Sequence, residues 1–176
     1  GENHHARYEE SNIGNLIADS YRNYFNTDIA FMNGGGIRAN IPKGDFKLKD
    51  GISLLPFSNK IGSFKYTGAI ILQALEHGVS SVDTKAGRFL QVSGITYTYN
   101  PNKNIGSRVS NVKINNKPIN LDKIYSVALP LYIKNGGDGF TMLKNNQVSI
   151  KDKNIDSQIF IEYIKSIKIL NPKLEN

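Results

Sequence analysis

Two glycine-rich turns, each preceded by an apolar segment, limit what this chain can fold into more than any other feature. Residues 29–32 are apolar and lead into Asn33 and three successive glycines. Residues 125–129 lead, six residues later, into a turn with glycines on both sides of Asp138. Glycine adopts positive φ readily and lets the backbone approach a ligand, but it costs about 1 kcal/mol relative to alanine in regular structure. We therefore interpret both turns as binding loops, formed by Gly34, Gly35, Gly36, Gly136, Gly137 and Gly139.

The side chains on these turns indicate a sugar-binding site. The Asp138 carboxylate can accept two hydrogen bonds from neighbouring hydroxyls, and a ribose 2′,3′-diol offers such a pair. Tyr132 precedes Asp138 by six residues, a spacing that can place both at one strand end. The first turn brings Asn33 and Arg38 into a single loop. Taken alone, residues 33–38 are equally well explained as an ordinary strand-to-loop turn.

Apolar periodicity along the chain predicts a mixture of helices and strands. The helices are expected over residues 11–25, over residues 68–77 with a stop at Gly78, and from Asp156 onward, capped by Ser11 or Asn12, Thr67 and Asp156 respectively. The strands are expected at residues 60–66, 89–92, 95–99, 109–114 and 125–129, with a hairpin turn at residues 115–117. The predicted fold is α+β, with a mixed β-sheet flanked by helices.

Composition fits one domain and gives little sign of nucleic-acid binding. The chain has 176 residues, a formal charge of +7 and no cysteine, and its length suits a single module. A positive charge attracts anions in general, but the lysines are scattered and form no basic helix. No apolar run approaches the roughly 18 residues of a membrane span. We expect residues 1–6 to be linker or cloning residues, 7–171 the domain and 172–176 a tail.

Five short motifs, in one order, carry a resemblance to a known family. They are ESNIGNLIAD (10–19), NGGGIR (33–38), LPFSN (55–59), RFLQVSG (88–94) and NGGDGF (135–140). Together they resemble the C-terminal, substrate-binding domain of the 5′-nucleotidase and UDP-sugar hydrolase family. Each motif alone is a weak pattern, whereas five in register over residues 7–142 are specific. The chain is identified as a member on these motifs.

The resemblance implies a role for six residues of this chain. Phe57 and Tyr132 match the two rings between which the base stacks, with Tyr132 standing where animal members have Phe. Asp138 matches the carboxylate that holds the ribose hydroxyls, in agreement with the chemistry of its turn. Asn33 and Arg38 match polar residues around the nucleotide, and Arg7 matches an arginine on the phosphate side. Without the resemblance, a core role is the favoured interpretation of Phe57, and Arg38 could pair with Asp19 or Asp45.

The resemblance also implies that catalysis takes place on another domain. The family's N-terminal metallophosphoesterase domain holds two divalent metal ions and the catalytic residues, and this chain lacks it. A two-metal site needs a cluster of ligands, which His4, His5 and His77 cannot provide. His77 has a simple electrostatic explanation, because a cation is favoured at a helix C-terminus. We expect no cofactor and no catalytic residue in this domain, which alone should be inactive.

Two other functions stay open from sequence alone. A stand-alone nucleoside-binding module without hydrolase activity would carry the same motifs. A nucleic-acid-binding protein is less favoured, and its affinity would fall steeply with salt. By family resemblance, we expect the full protein to be periplasmic or extracellular and to hydrolyse nucleotides to nucleoside and phosphate.

Overall fold

The computed structural model describes residues 5–41, 44–144 and 154–167. The helices are α1 (Asn12–Phe25), α2 (Leu48–Leu54), α3 (Gly68–Gly78), α4 (Leu131–Lys134) and α5 (Asp156–Ser166). The strands are β1 (Ile29–Asn33), β2 (Lys60–Thr67), β3 (Leu90–Ser93), β4 (Ile95–Tyr99), β5 (Val109–Ile114), β6 (Lys117–Pro118), β7 (Ile124–Pro130) and β8 (Asn154–Ile155). Short 3-10 turns occur at His5–Arg7, Gly34–Gly36, Val79–Thr84, Gly137–Gly139 and Thr141–Leu143.

The main sheet has five strands in the order β3-β1-β7-β2-β8. Strands β1 and β7 are parallel, and the other neighbours in this sheet are antiparallel. A second, antiparallel sheet has the order β4-β5-β6. The prediction of an α+β fold with a mixed sheet flanked by helices is therefore confirmed.

Both faces of the main sheet are covered, and the alternation along β1 shows how. Ile29 and Phe31 pack in one buried cluster with α3 and the second sheet. Ala30 and Met32 point into the other cluster, with α1 and α5. Successive side chains of a strand point to opposite faces, so an apolar run such as residues 29–32 suits a strand buried on both sides.

The ends of α1 follow the expected helix signals. The Ser11 side chain accepts a hydrogen bond from the Gly14 N–H at 3.1 Å, and Asn26 ends the helix in the left-handed conformation with φ 50°. A Cβ on Gly14 would lie 2.2 Å from Gln91 Oε1. This glycine is required by close packing of α1 on β3.

The N-terminal residues that the structure describes belong to the packed domain. Ala6 is buried, and its carbonyl accepts a hydrogen bond from Gln91 Nε2 at 3.0 Å. The same Gln91 nitrogen donates to the Glu9 carbonyl at 2.8 Å. These contacts favour a domain boundary before residue 6 rather than at residue 7. The predicted tail, residues 172–176, lies outside the described residues.

The start of the last helix differs from the prediction. Asp156 is the first helical residue, and Ile155 stands at the cap position without a side-chain cap hydrogen bond. The Asp156 carboxylate accepts from its neighbour Ser157 N–H at 2.7 Å and from Asn59 N–H at 3.2 Å. In return, the Asp156 N–H donates to the Asn59 carbonyl at 2.9 Å. Asp156 thus ties α5 to the loop that carries Phe57.

The buried Asp156 makes stability depend on pH. Burial raises the pKa of this carboxyl, although the N–H donors of Ser157 and Asn59 act in the opposite direction. Because folding then favours the protonated form, the free energy of unfolding falls as pH rises from the ordinary carboxyl range through the raised pKa, and is level above it. We expect Asp156→Asn to remove this component. Urea unfolding of both proteins between about pH 3.5 and 7 checks it, and a stability difference that is constant with pH would contradict it.

Candidate nucleotide-binding site

The two glycine-rich turns meet at one edge of the main sheet. Strands β1 and β7 are parallel neighbours, with Ile29 opposite Val127 and Ala30 opposite Ala128. The segments that follow parallel strands leave the sheet at the same edge. Asn33, at the end of β1, donates a hydrogen bond from Nδ2 to Asp138 Oδ2 at 2.8 Å, although the two residues are 105 positions apart.

The loop that carries Asp138 has an unusual backbone. Positive φ angles occur at Gly136 (93°), Asp138 (52°) and Gly139 (86°). Aspartate and asparagine adopt this region more readily than most side chains. Gly137 has a different reason to be glycine, since a Cβ there would lie 2.6 Å from ring atoms of Tyr132. The sequence-based expectation of positive φ therefore holds for Gly136 and Gly139 but not for Gly137.

The first turn uses its glycines for close packing rather than for positive φ. Gly34, Gly35 and Gly36 form a 3-10 turn, and none of them has a positive φ. A Cβ on Gly34 would lie 1.7 Å from the Ala6 carbonyl oxygen, and one on Gly36 would lie 2.4 Å from Met32 Cε. The Gly34 N–H donates to the Phe89 carbonyl and the Gly35 N–H to the Gly87 carbonyl, both at 2.8 Å. These contacts fix the position of Asn33.

The Asp138 carboxylate is oriented by two donors before any ligand arrives. Besides Asn33 on Oδ2, the Tyr132 hydroxyl donates to Oδ1 at 2.9 Å. Partial burial, together with the hydrogen bond to Asp138 and the charge of that carboxylate, raises the pKa of Tyr132, so this phenol stays a donor at neutral pH. Each carboxylate oxygen has a second acceptor position. The arrangement can therefore accept one further hydroxyl on each oxygen.

Two aromatic rings of the predicted site face solvent. Phe57 is 57% exposed and Tyr132 is 48% exposed, so Phe57 does not plug the core. The guanidinium carbon of Arg38 lies 5.7 Å from the Phe57 ring centroid, within cation–π range. The Arg38 N–H donates to the Leu54 carbonyl at 2.9 Å, which joins the first turn to the end of α2 just before Phe57.

Arg7, the remaining predicted site residue, lies next to the first turn. Arg7 Nη1 donates to the Lys85 carbonyl at 3.4 Å, and the same nitrogen would lie 3.0 Å from a Cβ on Gly87. Gly87 in turn packs against Gly35. The structure thus joins Asn33, Tyr132 and Asp138 by hydrogen bonds and pairs Arg38 with Phe57. The main chain of Arg7 lies against the first turn, since a Cβ on Gly34 would lie 3.1 Å from Arg7 Cα.

Sequence reasoning missed one residue in contact with the Asp138 loop. The Nε2 atom of His77, in the last turn of α3, lies 2.8 Å from the Asp138 carbonyl oxygen. The sequence did contain a signal for this contact, a lone histidine just before the glycine that ends α3. Its position was explained by the favourable charge of a cation at a helix end, so no contact with a residue 61 positions away was considered.

In the part of the chain that the structure describes, two clefts lie apart from the predicted site residues, and no metal-binding cluster is found. Two clefts, of about 170 and 300 Å³, lie elsewhere, and none of the six predicted residues lines either of them. Among the residues that the structure describes, no group of three or more His, Asp or Glu side chains could hold a metal ion. In the same residues, no helix has the length and apolar character needed to cross a membrane.

Comparison with known proteins shows the family to which this chain is similar. The family model described as 5′-nucleotidase, C-terminal domain, matches residues 1–145. The trifunctional nucleotide phosphoesterase protein YfkN of Bacillus subtilis is 37% identical over 99% of this chain and 13% of that protein. The 5′-nucleotidase of Bos taurus is 30% identical over 97% of this chain and 33% of that protein.

A solved structure supports the same relationship. The crystal structure of a 5′-nucleotidase precursor from Thermus thermophilus superposes with a TM-score of 0.93 at 41% identity, covering 99% of this chain and 36% of the other. The chain therefore spans about a third of that protein and of the bovine relative. The matched family model, the relatives and the shared fold together show that this chain belongs to the 5′-nucleotidase C-terminal domain family.

Proposed function

We propose that this domain recognises the nucleoside part of the substrate of a 5′-nucleotidase-type phosphoesterase. Phe57 and Tyr132 stack on the base, and Asp138 binds the ribose hydroxyls. Arg38, Asn33 and Arg7 serve the polar and phosphate-side atoms. The substrate class is a nucleotide or a nucleotide sugar, and the reaction of the whole protein is hydrolysis of its phosphoester.

One observation carries the proposal most directly. The Asp138 carboxylate receives one donor on each oxygen, from Asn33 and Tyr132, and keeps an acceptor position on each. Preorganised acceptors cost little reorganisation when a ligand binds. The spacing of a vicinal diol suits two adjacent carboxylate oxygens, and the exposed Tyr132 ring beside them offers a flat surface for a base.

The chemistry of hydrolysis belongs outside this chain. The described residues offer no ligand set for the two metal ions that the family resemblance implies. We infer that these ions and the catalytic residues reside on an N-terminal metallophosphoesterase domain, and that the 176-residue chain alone does not hydrolyse nucleotides. We also infer an exported location from the family resemblance alone.

Calorimetric titration of the chain with adenosine and with AMP tests the proposal. We expect binding of both in the micromolar to millimolar range, because stacking and two hydrogen bonds provide the affinity. Adenosine is uncharged, so its affinity should change little between about 50 and 300 mM salt, unlike that of a nucleic acid. Absence of binding to both ligands, or binding only of single-stranded nucleic acid with a steep salt dependence, would contradict the proposal.

Substitutions of Tyr132 separate stacking from hydrogen bonding. Tyr132→Ala removes the ring, and base stacking on an aromatic side chain contributes about 1 to 3 kcal/mol. We expect adenosine affinity to fall between roughly fivefold and a hundredfold. Tyr132→Phe keeps the ring and should stay within roughly threefold of the parent affinity. Equal losses in the two variants would show that the hydroxyl, and not the ring, is what the ligand needs.

A further inference from the structure

His77 contacts three successive residues of the loop that carries Asp138. Its Nε2 atom lies 2.8 Å from the Asp138 carbonyl oxygen. A Cβ on Gly139 would lie 2.9 Å from both Cε1 and Nε2 of the His77 ring. The Phe140 ring meets the His77 ring edge to face, with centroids 4.8 Å apart and an interplanar angle of 76°. The imidazole thus lies against residues 138–140 of this loop.

The direction of the hydrogen bond follows from the chemistry of the two groups. A main-chain carbonyl only accepts hydrogen bonds, so His77 Nε2 carries the proton and donates it. The neutral Nε2–H tautomer and the imidazolium can both do so. The interaction therefore needs no change of charge at His77.

The contact from His77 adds to the hydrogen bonds within an irregular loop. Positive φ angles at Gly136, Asp138 and Gly139 preclude a regular helix. The turn is closed by hydrogen bonds from Gly139 N–H to the Gly136 carbonyl at 3.2 Å and from Phe140 N–H to the Gly137 carbonyl at 3.1 Å. A rotation of the Asp138 peptide would turn the carboxylate away from Asn33.

His77 itself is fixed by its helix. The Ser80 hydroxyl and the Val79 N–H both donate to the His77 carbonyl, the hydroxyl at 2.7 Å. In the segment after the loop, the Leu143 carbonyl accepts a hydrogen bond from the buried Tyr66 hydroxyl at 3.0 Å. A rigid helix end therefore supports the loop at Asp138, and a strand residue anchors the segment that follows.

We propose that His77 is a positioning residue for ribose recognition, which holds the Asp138 main chain so that the carboxylate meets both hydroxyls. This inference rests on the proposed function, since it concerns the same carboxylate. His77 does not touch the nucleoside in this arrangement. It acts through the peptide group of Asp138.

The test compares a ligand that has the diol with one that lacks it. Adenosine and 2′,3′-dideoxyadenosine are titrated into the parent chain and into the His77→Leu and His77→Gln variants. Leucine removes the donor, whereas glutamine can place an amide N–H near the position of Nε2. We expect His77→Leu to weaken adenosine roughly three- to tenfold, in line with the loss of one hydrogen bond, and to leave the dideoxy ligand unchanged. His77→Gln should restore much of the loss.

A matched control separates positioning from general stability. Thr67→Ala removes the cap hydrogen bond that the Ile70 N–H donates at the opposite end of α3. It should lower the melting temperature without changing the ratio of the two affinities. Equal weakening of both ligands in His77→Leu, or no weakening of either, would overturn the proposal.

Hydrogen exchange makes the two proposals separable. If the parent chain binds neither ligand, the proposed function fails, and amide exchange of residues 137–140 then decides the case of His77. Faster exchange of these amides in His77→Leu, with the core of α3 still protected, would support its positioning of the loop. Exchange equal to that of the parent would overturn it.

Discussion

Replacing Asp138 by alanine is expected to reduce adenosine affinity at least about a hundredfold in calorimetric titration. The carboxylate makes two charge-assisted hydrogen bonds to the ribose in the proposed complex, and each contributes about 1.5 to 3 kcal/mol. Removal of the carboxylate also leaves the Asn33 amide and the Tyr132 hydroxyl without their shared hydrogen-bond acceptor. AMP should lose affinity by a similar factor, since it carries the same diol.

Asp138→Asn is the matched control for this substitution. Asparagine tolerates the left-handed backbone that Asp138 adopts at φ 52°, whereas alanine does so at a cost of about 1 to 2 kcal/mol. The amide keeps one acceptor oxygen but not the charge, so we expect an intermediate loss of roughly tenfold. Asp138→Ala with parent-like affinity for adenosine would contradict the ribose assignment.

The largest expected effect on stability comes from Gly34→Ala. A methyl group there would lie 1.7 Å from the Ala6 carbonyl oxygen, a main-chain atom that cannot turn aside. Either the first turn or the N-terminal segment must move, which we expect to lower the free energy of unfolding by about 3 kcal/mol or more. In a domain of this size, that corresponds to a melting temperature lower by roughly 6 to 12 °C.

The neighbouring glycine provides the comparison. A Cβ on Gly35 would lie 3.2 Å from Gly87 Cα and from the Gly87 carbonyl oxygen, which a shift of a few tenths of an ångström relieves. Gly35→Ala should therefore cost about 1 kcal/mol, well below the cost at Gly34. Equal melting temperatures for the two variants would contradict the packing explanation of this turn.

Local signals predicted much of the fold because they depended on nearby residues. The Ser11 cap, the Thr67 cap and the hairpin turn at Asn115 and Asn116 are set by adjacent backbone groups, and the structure has all of them. Helix α2 was not predicted, because it is short and contains Gly51, a poor helix former. A Cβ on Gly51 would lie 2.7 Å from Ile161 Cγ1, so tertiary packing against α5 favours the glycine here.

In the candidate site too, features set by nearby residues were predicted, whereas a contact between residues distant in sequence was not. The chemistry of the two turns predicted Asp138, Asn33 and Arg38, and family resemblance added Phe57 and Arg7. A main-chain carbonyl is present at every residue, so the sequence does not indicate which one a side chain contacts. The hydrogen bond from His77 to the Asp138 carbonyl was therefore not predicted. The binding role of the six predicted residues stays a prediction that the titrations above address.

The pairing of β1 with β7 makes ligand binding a measure of the whole fold. Asn33 and Asp138 come together only when strands from the two halves of the chain lie side by side, so an unfolded or half-folded chain has no acceptor site for the diol. A nucleoside that binds only the native state stabilises it by mass action, by about 2.7 kcal/mol at a concentration of 100 times Kd. Melting curves recorded over a panel of nucleosides would therefore rank the bases this domain accepts, with no catalytic assay and no partner domain.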